Sequence, residues 1–259
     1  MLKFSAHLSM LFEDLDFLAR FQAAADTGFK AVDLKSTEGH SAYIVRQKLE
    51  EANLKLLSID FAGNETSNAS SGIGILPGRE EDFRRVVERV LESARILGCK
   101  MVLNLAGVVP KDTCRELCLD TYIKNLRWAA ARMAEGGIRL LIEPINTNSV
   151  PGYILPRAED ALEVIHKTDS DNLFLCYDLY HAHMANENVP KVLRTNIKRI
   201  AHVHIAGVPL RNEPDVGTVD YSSLFSLLDE IGYGGWVCAE YHPHSETIDG
   251  LGWAKNSLA

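Results

Sequence analysis

The chain has 259 residues, of which 46% are hydrophobic and 24% charged, and a formal net charge of -8. That acidic balance argues against nucleic-acid binding, which needs basic patches to meet phosphates, and no apolar run reaches the roughly 18–20 residues of a membrane span. The length suits one α/β barrel, so the expectation is a single domain over residues 1–259.

In chain order, Lys3 to Ser9 reads as a first strand, followed by a helix that Asp14 or Asp16 can cap and Gly28 ends. Lys30–Leu34 is the second strand, Ser41–Ala52 the second helix and Leu54–Ile59 the third strand. The polar stretch Gly63–Gly78 is long for a structureless loop, which points to a lid or mouth loop. Glu80–Leu97 is strongly amphipathic and Gly98 closes it; Met101–Leu105 is the fourth strand. A long helix runs from Thr113 to about Ala134, and Ile138–Ile142 is strand five. Pro156 and Arg157 start the next helix; Leu173–Tyr177, Ile200–Ile205 and Gly235–Glu240 are strands six to eight. Shorter helices fall at Val189–Ile197 and Tyr221–Ile231, with a short last helix in the tail. Eight strands alternating with helices imply parallel pairing through crossovers, the pattern of a (β/α)8 TIM barrel. An open doubly wound sheet is disfavoured, because no Gly-rich phosphate loop follows the first strand; no nucleotide cofactor is expected.

In such a barrel the C-terminal strand ends share one face. The run LLIEPIN ends in Glu143 and Pro144, and Pro144 cannot continue a ladder. Asp178 follows strand six, His204 sits in strand seven and Glu240 ends strand eight. Each alone has a bland explanation: a loop ion pair for Glu143 or Glu240, a helix cap for Asp178, a core histidine for His204. Together, from four consecutive strands, they make a hard, oxygen-rich set suited to a divalent metal such as Mg²⁺ or Mn²⁺. His181 can reach the same mouth, and the forked donors of Arg211 suit a substrate carboxylate; an ion pair with Glu213 or Asp215 is the competing role for Arg211. His202 reads as support for the site or core filler, and His242 as a pocket or a solvated loop residue. Five scattered cysteines read as reduced thiols of a cytoplasmic protein, and Cys114 and Cys118 lack the partner pair of a zinc site.

Several stretches carry a resemblance: Phe4-Ser5-Ala6-His7-Leu8-Ser9-Met10-Leu11-Phe12, Pro77-Gly78-Arg79-Glu80, Ala106-Gly107-Val108-Val109-Pro110, Leu141 to Asn146, Tyr177 to His181, His202 to Pro209, and Gly250-Leu251-Gly252-Trp253. The chain resembles the hydroxypyruvate isomerase family, within the broader xylose-isomerase-like TIM barrels. The resemblance implies an isomerase of hydroxypyruvate or a related short 2-oxo sugar acid. It implies Glu143 and Glu240 as catalytic residues, and a divalent metal on Glu143, Asp178, His204 and Glu240. Departures fall on the rim: position 204 is usually Gln, position 7 usually Asn and position 242 often Lys, and all three are His here. The aromatic segment after strand two is replaced by Lys35 to His40, and the acidic lid by Asn64 to Ser71. Ketose 3-epimerisation and 2-oxo-tetronate isomerisation are the alternatives within this chemistry. A non-catalytic sugar-binding barrel is a third, and cleavage at abasic DNA is disfavoured for lack of a basic rim. The expected partner is a small-molecule substrate, not a nucleic acid or a membrane; a homo-oligomer covering the short C-terminal helix is a further expectation.

Overall fold

The structure is a computed structural model and describes residues 2–63 and 69–258. Eight parallel strands close into a barrel in sequence order: β1 (Lys3–His7), β2 (Ala31–Leu34), β3 (Lys55–Phe61), β4 (Met101–Asn104), β5 (Arg139–Ile142), β6 (Leu173–Asp178), β7 (Ile200–Ile205) and β8 (Trp236–Ala239). Strand β1 pairs with β8, Ala6 opposite Ala239, so no edge remains. The strands are short and buried on both faces, as the apolar runs require when helices cover the outside.

The outer layer holds α1 (Phe17–Asp26), α2 (Ala42–Glu51), α3 (Glu80–Leu97), α4 (Arg115–Glu135), α5 (Ala158–Thr168), α6 (Leu179–Met184), α7 (Val189–Asn196) and α8 (Tyr221–Glu230). Helix α3 shows why these stretches are helical. Glu80, Glu81 and Asp82 meet the positive end of its dipole, and Phe83, Val86, Val87, Leu91, Ala94 and Leu97 fall on one buried stripe. Gly98 at φ 70° then adopts the left-handed cap and donates to Ala94 O and Arg95 O. The tail forms a 3₁₀ segment, Thr247–Ala254, and a short α9 (Lys255–Leu258), with Trp253 edge-on to Phe4 at 5.2 Å.

Three local differences from the sequence expectation matter for the site. Strand β3 runs on to Phe61 and carries Asp60 to the barrel mouth. The residues after Asp178 form α6, a helix not among those expected, because an Asp178 carboxyl oxygen caps Tyr180 N at 2.7 Å. In the expected mouth loop, 64–68 lie outside the described residues, while 72–78 are packed: Ile75 is fully buried, Ile73 N donates to Ala62 O at 3.0 Å, and none of 72–78 lines the mouth pocket.

Candidate active site

At the C-terminal end of the barrel lies a pocket of about 400 Å³. Glu143, Glu240, His181 and Arg211 line it, opposite His7, Asp60 and Lys35. The four residues read as metal ligands converge here. One donor atom each from Glu143, Asp178, His204 and Glu240 lies within 4.8 Å of the other three. Donors on opposite sides of a Mg²⁺- or Mn²⁺-sized ion stand about 4–4.5 Å apart, so a small side-chain movement closes the set. Among the described residues every His, Cys, Asp and Glu group that could hold a metal includes His204, and only the group of Glu143, Asp178, His204 and Glu240 gathers four donors.

Each donor is aimed by its neighbours. Pro144 ends β5, and Tyr153 donates to the carbonyl of Glu143 at 3.3 Å, while Oε1 of Glu143 is buried without a hydrogen-bond partner. Asp178 divides its oxygens: Oδ1 caps α6 and Oδ2 accepts from Arg211 at 3.2 Å. One carboxylate therefore both caps α6 and meets Arg211. His204 has Nε2 against Cys176 Sγ at 3.4 Å, which leaves Nδ1 facing Glu240 at 3.1 Å and Glu143 at 3.7 Å. An orphaned buried carboxylate oxygen, a ring nitrogen turned toward it and two further carboxylates suit a hard divalent cation.

Crowding separates the two glutamates electrostatically. Burial, with Glu240 and then Asp178 and Asp60 nearby, pushes the Glu143 carboxyl well above the usual carboxylate range. Burial would do the same to Glu240, but the Arg211 guanidinium at 2.7 Å and the His204 imidazole outweigh it and hold Glu240 well below that range. Burial also opposes charge on His204, yet Cys176 and Glu240 beside it raise its pKa well above the ordinary value.

Arg211 reaches the pocket from the tight loop after β7. A Cβ on Gly207 would come within 2.3 Å of Val216 O, so only glycine allows that close approach. Arg211 itself sits at φ 60°, a strained conformation for a non-glycine residue. Its guanidinium stacks over Tyr180 at 5.0 Å and leaves Nε buried with no partner. The sequence offered Glu213 or Asp215 as its ion-pair partner; the fold gives it Asp178 and Glu240 instead. Glu213 instead accepts from His244 N.

His181 is oriented from β5. Asn146 Oδ1 accepts from Asn148 N and Ser149 N, which turns its amide nitrogen toward His181 Nδ1 at 2.7 Å. Nδ1 thus accepts, and Nε2 carries the proton. Burial pushes the His181 pKa down to about 4, so the ring is a neutral donor. His242 lines the pocket but is 59% exposed and pairs with Glu13, so both of its expected roles are partly met. His202 lies one layer below, bound to the buried Asp33 at 2.9 Å, with Ser5 and Ser58 donating to the same carboxylate. Asp60, which also lines the pocket, is not among the residues the sequence singles out, although its signal, an acid ending an apolar run, is the one that marked Glu143. Cys114 and Cys118 belong to no metal-capable group among the described residues.

Three comparisons relate this chain to known proteins. The profile of the family described as xylose isomerase-like TIM barrel matches residues 21–257. The chain belongs to that family. It is 40% identical to the 2-oxo-tetronate isomerase of Cupriavidus necator, over 99% of this chain and 98% of that protein. It is 38% identical to the hydroxypyruvate isomerase of Escherichia coli, over 98% of each. The solved structure titled AP endonuclease, family 2 from Brucella melitensis superposes with a TM-score of 0.95 at 33% identity, covering 99% of each chain. D-psicose 3-epimerase, at 17% identity and a TM-score of 0.79, shares the fold alone. Among the described residues no helix is long and apolar enough to cross a membrane.

Proposed function

We propose that this chain is an aldose–ketose isomerase of short 2-oxo acids, interconverting hydroxypyruvate and 2-hydroxy-3-oxopropanoate or acting on 2-oxo-tetronate. The observation that carries the reading is the pair Glu143 and Glu240, whose carboxyl oxygens meet at one centre with donors from Asp178 and His204. Two carboxyls converging on one centre can divide the proton transfers between adjacent carbons. The resemblance to hydroxypyruvate and 2-oxo-tetronate isomerases over the full chain supports the same chemistry.

Glu143, Asp178, His204 and Glu240 would hold a divalent cation, with Mg²⁺ or Mn²⁺ favoured by the three carboxylates. Such an ion supplies Lewis-acid stabilisation of negative charge on substrate oxygen. The chain's own groups do the rest. Glu240, kept ionised by Arg211, takes the proton from the hydroxylated carbon beside the carbonyl. The electron pair left behind forms the enediolate. Glu143 accepts the proton of the substrate's hydroxyl and passes it to the former carbonyl carbon, and Glu240 releases its proton to the former carbonyl oxygen to complete the exchange. The Nε2–H of His181 donates to the oxygen on which charge develops, and Arg211 Nε meets the substrate's carboxylate.

Turnover of hydroxypyruvate and 2-oxo-tetronate, with and without chelator, tests the assignment. Near-native turnover by both Glu143→Gln and Glu240→Gln with cation still bound refutes it. Hydrogen exchange with labelled solvent separates proton transfer from a hydride shift. The same assay run on a panel of ketoses addresses the epimerase alternative.

A further inference from the structure

The β5–β8 side of the mouth is filled by the four converging residues, Arg211 and His181. The β1–β3 side is different. His7, at the end of β1, is 1% exposed, and neither Nδ1 nor Nε2 has a hydrogen-bond partner. Its ring lines the same pocket, with Nε2 3.8 Å from Glu240 Oε1. Asp60 from β3 and Lys35 after β2 line the wall beside it. A buried polar atom left unpaired costs about 1–3 kcal/mol, and an imidazole with two such atoms is a poor core residue. The pocket supplies a reason to keep it.

A neutral imidazole offers one donor and one acceptor, which is the complement of a hydroxyl group. The pocket's roughly 400 Å³ equals about a dozen waters at about 30 Å³ each, several times what a three-carbon acid fills. Once Arg211 holds the acid end and the reacting carbons lie between Glu143 and Glu240, a longer substrate finds room toward His7, Asp60 and Lys35 on the β1–β3 side. We propose that His7 is a specificity-determining residue that hydrogen-bonds the distal hydroxyl of a substrate at least one carbon longer than hydroxypyruvate, so that the preferred class is the four-carbon or longer hydroxylated 2-oxo acid. This rests on the isomerase reading above.

The test compares kcat/KM of the cation-loaded protein on 2-oxo-tetronate and on hydroxypyruvate for wild type, His7→Leu and His7→Asn. Glu240 serves both acids, so any disturbance of Glu240 cancels in the ratio. Wild type should favour the four-carbon acid. His7→Leu should lower that preference by about 30-fold or more, as loss of a buried hydrogen bond does, and His7→Asn, which keeps a donor and an acceptor, should restore most of it. Thermal unfolding adds a readout that core filling would move the other way: His7→Leu removes two unpaired polar atoms and should leave Tm unchanged or raise it. A ratio unchanged by His7→Leu, or a Tm lowered with equal loss on both acids, overturns the role of His7 while the isomerase reading stands. A wild type inert on both acids overturns that reading and this one with it.

Discussion

The two ends of the barrel carry opposite charges under opposite conditions. At the N-terminal end, Lys3, Lys55 and Arg139 are the first residues of β1, β3 and β5, and Lys30 and Lys100 immediately precede β2 and β4. All five are exposed. Lys3 lies over Trp236 at 5.2 Å and Arg139 over Phe174 at 5.8 Å, apolar stems on apolar surface with the charges in water. Two hollows of about 390 and 610 Å³ open there and share Met101, Arg139 and Trp236. At the C-terminal end the pocket is of similar size, about 400 Å³, yet Glu143, Asp178 and His204 are all under 5% exposed. Hollow size does not distinguish a site from a surface groove here. Desolvated charge does, because only in a low-dielectric pocket do neighbouring carboxylates shift one another's proton affinity and attract a cation.

The largest expected effect is therefore at the mouth. Glu143→Gln or Glu240→Gln should lower isomerase turnover at least about a thousandfold, near 4 kcal/mol in the barrier, measured on hydroxypyruvate and 2-oxo-tetronate. Glu143→Gln should meanwhile leave the cation-free fold as stable as wild type or more so, since it removes a buried carboxyl crowded by Glu240 and Asp178. A variant that loses stability and activity in parallel would move Glu143 from the chemistry to the scaffold.

Just below the mouth, Asp33→Asn should cost about 3 kcal/mol, because it leaves His202 buried without its charged partner. Burial works against charge on Asp33, but the adjoining His202 and the Ser5 hydroxyl overcome it and hold the carboxyl well below its usual range. A carboxyl with a lowered folded pKa stabilises the protein above its unfolded value near 4. That stability is lost as pH falls through the lower folded value, since the unfolded chain takes the proton first. Unfolding midpoints of wild type should drop steeply below about pH 4, and the Asp33→Asn variant should lack this share of the slope.

Adding cation comes next in size. Mn²⁺ or Mg²⁺ at about 100 times its Kd should stabilise the fold by about 2.7 kcal/mol, seen as a rise in Tm of several degrees. Asp178→Asn and Glu240→Gln should abolish that rise, and substitutions at the N-terminal end should not.

How much of this contrast the sequence revealed depends on how local the signal is. Helix α3 was legible to its last residue, since its apolar spacing, first-turn acids and closing glycine all lie within one window. The four converging residues were legible because a barrel turns strand ends into one face, and Glu143, Asp178, His204 and Glu240 mark four such ends. The loop position of Arg211 was legible, but its contacts to Asp178 and Glu240 bridge 33 and 29 residues and fall outside any local window. The Asp33–His202 bond spans 169 residues and leaves no trace in any local pattern. The isolation of His7 is a property of everything around it, which no window of sequence contains.

The smallest expected effect sharpens the comparison most. Lys55→Gln and Lys100→Gln each remove a charge at a strand start, the same position in the repeat that the mouth residues hold at the other end. Among the described residues neither lysine has a carboxylate within ion-pair distance. Solvated and unpaired, each should change stability by no more than about 0.5 kcal/mol and leave isomerase turnover unaltered. Equivalent places in a symmetric fold would then differ by three orders of magnitude in consequence, and burial alone would separate them. A clear loss of turnover on neutralising Lys55 or Lys100 would instead mean that charge at the two ends is coupled through the barrel core, with the buried Asp33–His202 layer as the connection to examine.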